Sequence, residues 1–414
     1  MDELRATRRG LVKALAGLPA IAAVLPNRLP ANAGTLLARD ELLLEPGLIH
    51  LNTASAGPTT KRVLARTMAA WRQLETDPVA QSYYDDPGTV FSAADAVRGK
   101  AAALIGATPD NILVTRGTTD GITTLAHSIR LKEGDRVLLS NLEHEGGEVG
   151  WLHRSRLDGV VIDRVNLPFT EHDPSRIVDA YAAAISPRTR VISVSHVLAP
   201  TGLKMPIREI AALARAHRIL CVVDGAQAAG HVPVDVKALG CHAYATSGHK
   251  WLMGPKGIGF VFIASDAEES FELAQWQLGR QVGSNSAGLG PLTLAVGLGQ
   301  AIDDLRGIGA DRVTSHNFAL AGRVHRALSE MPGLQVVSAP PGPGATAMVA
   351  AILPRSIDAE QLHHRMRQRH RVVIKLAEKR WFNGIRLSPH LFNSEAEVDI
   401  ALAALRSEIG NWRS

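Results

Sequence analysis

Short apolar runs alternate with helical stripes through the middle of this chain. Asn111 to Thr115, Asp135 to Ser140, Val160 to Val165, Arg190 to His196, Ile219 to Asp224, His242 to Thr246 and Ile258 to Ala264 predict strands, most of them buried on both faces. Before and between them, Phe91 to Ala107, the segment opened by Thr118 and ending at Ile129, Arg176 to Ile185 and Ile207 to His217 predict helices. The last shows the spacing well, with Ile207, Ile210, Ala211 and Ala214 on one face. Strand and helix in alternation predict an α/β fold with a mostly parallel sheet and right-handed crossovers.

Two long helical stretches, Leu289 to Arg306 and Ala310 to Met331, lead to a second set of elements. From about Gly333, strands at Leu334 to Ser338, Ala347 to Leu353, Arg371 to Leu376 and Gly384 to Leu387 mix with helices at Ala359 to Arg369 and from Glu395. Ser394 and Glu397 have the spacing of a capping box for the last helix. The expected division is therefore residues 1–33, a large domain over 34–306, and a linking helix with a smaller α+β domain over 307–414.

The first 33 residues have a different character. Thr7-Arg8-Arg9-Gly10-Leu11-Val12-Lys13 opens a basic region, Ala14 to Leu25 is apolar but too short to span a bilayer well, and Ala31-Asn32-Ala33 offers small residues for cleavage. This order predicts a twin-arginine export signal, delivery by the Tat machinery to the periplasm or beyond, and a mature chain starting near Gly34 with no membrane attachment. Of the net charge of +5, about +2 remains outside this segment, too little to predict a nucleic-acid or membrane surface. Cys221 lies in a buried strand and reads as a small apolar residue, and with Cys241 it gives no disulfide framework. No metal is expected, because His363, His364 and His370 share an Arg-rich helical stretch without a ligand pattern.

The candidate chemistry gathers between Cys221 and Phe260. Asp224 ends an apolar strand, where its side chain would reach a ligand crevice, and Lys250 follows the polar Ser247-Gly248-His249 before Trp251. Taken singly, the first is a turn residue and the second a surface lysine covering a ring. Together an acid and a walled-off amine suit pyridoxal phosphate (PLP), whose aldehyde needs an amine and whose pyridine nitrogen needs an anion. Upstream, Arg116-Gly117-Thr118-Thr119-Asp120-Gly121 opens a helix with free N–H groups and hydroxyls, a ready phosphate site, although on local sequence Thr118 reads equally as a plain N-cap.

Asp224-Gly225-Ala226-Gln227, together with Ser247 to Phe260, resembles the cofactor region of the class V aminotransferase family of PLP-dependent enzymes, in particular its isopenicillin N epimerase-like and cysteine desulfurase-like members. The likeness spans roughly Ile49 to Val398. It implies the PLP-dependent transferase fold of aspartate aminotransferase, fold type I, and a homodimer acting on an amino acid or peptide. By the resemblance Lys250 carries the cofactor, Asp224 pairs with the ring nitrogen, His144 stacks on the ring and Gln227 contacts the ring hydroxyl. Thr118, Thr119, Ser247 and His249 hold the phosphate, and Ser284 reaches the phosphate of the partner subunit. Gly384 to His390 is similar to the family's carboxylate-binding segment, which makes Arg386 the residue that grips the substrate carboxylate. Ile49 to Pro58 is placed near the substrate.

Two departures bear on activity. Ala199 stands where cysteine desulfurases have an Asn, and Val372 to Arg380 lacks their mobile loop cysteine. Transamination, epimerisation and C–S lysis share one carbanion, and these motifs do not choose among them. A nucleotide-binding oxidoreductase would need a Gly-x-Gly-x-x-Gly turn, which Arg116 to Gly121 does not supply. A binding protein that kept this fold without chemistry is the other alternative.

Overall fold

The computed structural model describes residues 34–277, 279–282 and 288–412, so the candidate leader and Ser284 lie outside the described residues. Strand β1 (Ile49–His50) comes first, followed by β2 (Ile112–Thr115), β3 (Arg136–Ser140), β4 (Val161–Val165), β5 (Thr189–Ser195), β6 (Leu220–Asp224), β7 (Ala243–Ser247) and β8 (Gly259–Ile263). β2 to β8 form one seven-stranded sheet in the order β2-β8-β7-β6-β5-β3-β4. The strands β3 to β7 pair in parallel, as the alternation predicts, while β8 runs antiparallel to both β7 and β2. A parallel return needs a crossover, and the turn from Ser247 to Gly259 holds no helix to make one.

Cys221, Val222 and Val223 of β6 are fully buried because helices cover both faces of this sheet. The predicted elements recur with ends shifted by a residue or two, as at the helix Val90–Ile105, which stops at Gly106 in the left-handed region with φ of 72°. The helix Glu145–Asp158 was not legible, since Gly146, Gly147 and Gly150 read as loop. These glycines serve packing instead. A Cβ on Gly150 would come within 2.8 Å of the Thr123 Cα on the facing helix Thr118–Ser128.

A second sheet is built from β9 (Gln335–Val336), β10 (Val349–Ile352), β12 (Lys375–Leu376) and β13 (Gly384–Leu387), in the antiparallel order β12-β13-β10-β9. The single strand expected over Arg371 to Leu376 is in fact two. Its first half, β11 (Val372–Val373), pairs in parallel with β1, and its second half joins β13. Ile374 at the break is buried, so the chain changes hydrogen-bond partner there without leaving the core.

Residues 49–57 form a strap between the small sheet and the turn after β7. The Ala54 N–H donates to Ser388 Oγ at 3.1 Å, and the Gly57 N–H donates to the His249 carbonyl at 2.8 Å. A Cβ at Gly57 would meet the Lys250 carbonyl oxygen at 2.2 Å, so this close approach requires glycine.

Candidate active site

Asp224 is the last residue of β6, and its register partner on β5 is Ser195. The Asp224 Oδ1 accepts from the Ala226 N–H at 2.9 Å. Behind them, the buried Glu143 accepts from the Ser195 N–H at 3.0 Å, from Ser195 Oγ at 2.5 Å and from Ser140 Oγ at 2.7 Å, which fixes the end of β5. Burial pushes the Glu143 carboxyl up to about 7. Burial also raises Asp224, against the Ala226 N–H and the charges of Lys250 and His144, which favour its anion.

Lys250 sits in the turn that follows β7, and its chain neighbour Trp251 is clamped on three sides. The Trp251 Nε1–H donates to Gln227 Oε1 at 2.9 Å, its ring stacks on His231 with centroids 3.7 Å apart, and its carbonyl accepts from His390 Nε2 at 3.0 Å. Asn317 Nδ2 donates to His390 Nδ1, which leaves Nε2 as the protonated nitrogen. Burial brings the Lys250 amine down to about 8; Asp224 opposes that shift, while Arg386 and Lys375 reinforce it.

Opposite this turn, Gly117 with φ of 145° opens the helix Thr118–Ser128. The Thr118 N–H donates to Ser247 Oγ at 2.9 Å, and the two hydroxyls lie 2.8 Å apart. His249 keeps a buried Nδ1 without a hydrogen-bond partner among the described residues. Burial, then Lys250 and Lys256, hold its ring down to about 4, so it is neutral at pH 7. His144 caps the helix Glu145–Asp158 by accepting from the Gly146 N–H at 3.0 Å on Nδ1. Its neutral ring therefore carries the proton on Nε2, 3.8 Å from Glu378 Oε1. Burial, followed by Lys250, lowers the His144 pKa and favours that neutral form.

Arg386 on β13 is buried, yet its guanidinium is sparsely used. Nη1 donates to the Ala199 carbonyl at 2.6 Å, Nη2 lies 3.4 Å from Ser55 Oγ, and Nε has no partner. No carboxylate lies within ion-pair distance of Arg386 among the described residues. Burial pulls its pKa down to about 10, with Glu378 opposing. A buried cation left this way is costly, and a ligand carboxylate offers the missing partner.

A cavity of about 270 Å³ brings Thr118, Thr119, His144, Asp224, Gln227, Ser247, His249, Lys250 and Arg386 together. Every candidate site residue that the structure describes lines it. Gln227 uses its Oε1 for Trp251 and donates through Nε2 to the Ala54 carbonyl at 2.8 Å, which leaves one amide N–H free. The cavity also holds Ser195, Lys375, Glu378 and Trp381, which sequence reasoning did not single out. Nothing in the local pattern of Lys375 to Trp381 marks them; only the pairing of β12 with β13 turns this segment inward.

Residues 49–400 match the family described as aminotransferase class-V. The chain belongs to the class-V aminotransferase family. Isopenicillin N epimerase of Streptomyces clavuligerus is 30% identical over 393 residues, which cover 90% of this chain and 98% of the relative. A probable cysteine desulfurase of Methanothermobacter thermautotrophicus is 29% identical and covers 70% of this chain and 75% of its own. Among solved structures, cysteine desulfurase from Thermococcus onnurineus NA1 superposes with a TM-score of 0.78 at 20% identity, covering 90% of this chain and 97% of that one. The fold is that of fold-type-I PLP enzymes, and PLP is the family's cofactor.

The residues present fit that cofactor. Paired hydroxyls at a helix N-terminus, the unpartnered His249 Nδ1 and the buried Asp224 supply donors for a phosphate and an anion for a ring nitrogen. Space is kept by glycine: a Cβ on Gly146 would stand 2.4 Å from Thr119 Oγ1, and one on Gly147 would stand 2.7 Å from Asp224 Oδ2.

Proposed function

We propose that this PLP enzyme moves a proton at the Cα of an amino acid or amino-terminal peptide residue, in a reaction of the epimerase or aminotransferase type. The observation that carries the reading is the convergence on one cavity of the Lys250 amine, shifted to about 8, and an Arg386 guanidinium without a carboxylate partner. When bound, PLP supplies an electron sink that acidifies the Cα–H of an attached amino acid. Thr118, Thr119, Ser247 and His249 would hold its phosphate, Gln227 its ring hydroxyl through the free amide N–H, and Asp224 its ring nitrogen. His144 would lie against the ring as a neutral imidazole. Arg386 would grip the substrate carboxylate through a two-pronged contact that orients the Cα–H toward Lys250. The Lys250 Nζ, partly unprotonated near neutral pH, would take that proton and return it.

Persulfide chemistry is disfavoured because Cys221 and Cys241, the only cysteines in the sequence, are buried in the core. Burial raises both thiols, Cys241 to about 12. The test is incubation of the PLP-loaded protein with amino acids in heavy water. Deuterium at Cα, together with inverted enantiomer or the matching oxo acid, is the expected result. Sulfide or a protein-bound persulfide from cysteine, with no Cα exchange in other amino acids, would overturn it in favour of a sulfur-releasing reaction.

Export through the twin-arginine pathway and a homodimer completed by Ser284 belong to the same proposal. The basic, apolar and small-residue regions before Gly34 support the first. Leu64, Met68 and Trp71 support the second, since they are exposed along one face of the helix Lys61–Leu74. Intact mass and light scattering on the protein recovered from the periplasmic fraction check both. A chain beginning near Gly34 and running as a dimer is expected; an uncleaved chain confined to the cytoplasm, or a monomer, removes the corresponding part.

A further inference from the structure

Beside Lys250 and Arg386, Lys375 is a third basic side chain in the cavity, and it has no assigned task. It lies on β12 directly opposite Arg386 on β13, and both side chains line the cavity. Residues opposite one another on antiparallel strands carry their side chains on the same face, with Cβ atoms about 5 Å apart, and like charges so placed repel. The repulsion is felt here, since burial and then Arg386 lower the Lys375 pKa, with Glu378 opposing.

The two carboxylates of the cavity relieve it only in part, Glu378 acting on both cations without pairing with either. Glu378 is already engaged, with Oε2 accepting from Arg380 Nε at 2.9 Å and Oε1 facing His144. Asp224 lies at the end of β6, where it serves the cofactor ring in the proposed reading. No carboxylate is within ion-pair distance of Lys375 or of Arg386 among the described residues. One α-carboxylate saturates the fork of an arginine and leaves the adjoining ammonium still unmatched.

We infer that Lys375 is a second anion-binding position and that the substrate is an amino acid carrying a carboxylate on its side chain as well as at Cα. The inference rests on the reading of this cavity as an amino-acid site. Arg386 holds the α-carboxylate, and Lys375 holds the distal one as a compact point charge, which tolerates more than one side-chain length. Among amino acids the preference therefore falls on acidic ones over their amides.

The experiment is calorimetric titration of the PLP-loaded protein with glutarate and with glutaramate, its monoamide, neither of which has an amine that could react. The wild-type protein should bind glutarate about 10- to 100-fold more tightly, the span expected of one charge-assisted contact. Lys375→Gln should erase that preference and Lys375→Arg should keep most of it. Equal binding of the two ligands by the wild type would overturn the inference. So would a Lys375→Gln variant that weakens both ligands equally, or one that loses bound PLP and thereby places Lys375 with the cofactor. Failure of the underlying reading looks different: the wild type would then show no lysine-bound PLP in its near-visible spectrum, whatever its affinity for glutarate.

Discussion

Lys250→Ala is expected to lower turnover by about 10³-fold or more, the upper range for loss of a positioned general base. The same variant should lose the near-visible band of lysine-bound PLP and the borohydride-stable adduct that marks it. Spectra and peptide mass spectrometry of both proteins, with and without borohydride, read the two effects together. An unchanged band or unchanged turnover would remove Lys250 from its assigned role. The pH behaviour supplies a second readout. With its amine at about 8, below the usual 10.5, Lys250 in protein stripped of PLP reacts with an amine-directed label as pH rises through 8. The linkage has a definite sign. Between about 8 and 10.5 the unfolded chain binds the proton that the folded chain has released, so stability contributed through this group rises with pH across that window. Lys250→Ala should flatten that rise, and urea titrations at pH 8 and pH 10 measure it.

Arg386→Lys is expected to cut kcat/KM by about 10- to 100-fold, because an ammonium replaces a two-pronged contact by a single one. Arg386→Met should remove recognition of the carboxylate altogether. The stability effect runs the other way. Arg386 is 5% exposed, and its Nε has no hydrogen-bond partner among the described residues. Replacing such a cation by an apolar side chain of similar length removes the cost of burying an unpaired charge. A less active yet equally or more stable Arg386→Met variant, read by steady-state kinetics and by thermal melting, is the signature of a residue kept for ligand binding. A variant that melts well below the wild type would instead make Arg386 a structural residue held by Ala199.

Asp224 and Lys250 were legible in the sequence, whereas Ser195, which also ends a strand at the cavity, was not. The apolar run before Asp224 and the polar turn before Lys250 are local patterns, and β6 and β7 follow them. Long-range pairing was not legible. Nothing in Val372 to Leu376 shows that the strand exchanges β1 for β13 at Ile374, and it is this exchange that sets Lys375 beside Arg386. The direction of β8 was hidden for a similar reason, since an apolar run has no polarity of its own. Position 199 offers a different case. The sequence marks it by the side chain that Ala199 lacks, whereas the structure uses its carbonyl, a group every residue has.

The strap of residues 49–57 also sets an order of events. Its contact from Ala54 to Ser388 joins positions 334 residues apart, and the clamp on Trp251 likewise waits for His390. Contacts of such separation close late, because the chain between them must already be arranged. During synthesis the large sheet can therefore organise around β6 and β7 while Arg386 and Lys375, proposed to hold carboxylates, have not yet been made. A ribosome-bound chain would carry the amine and the helix N-terminus well before it carries the means to select an amino acid. On the proposed roles, the residues that would hold the cofactor and those that would choose a substrate are separated by the last stretch of the polypeptide.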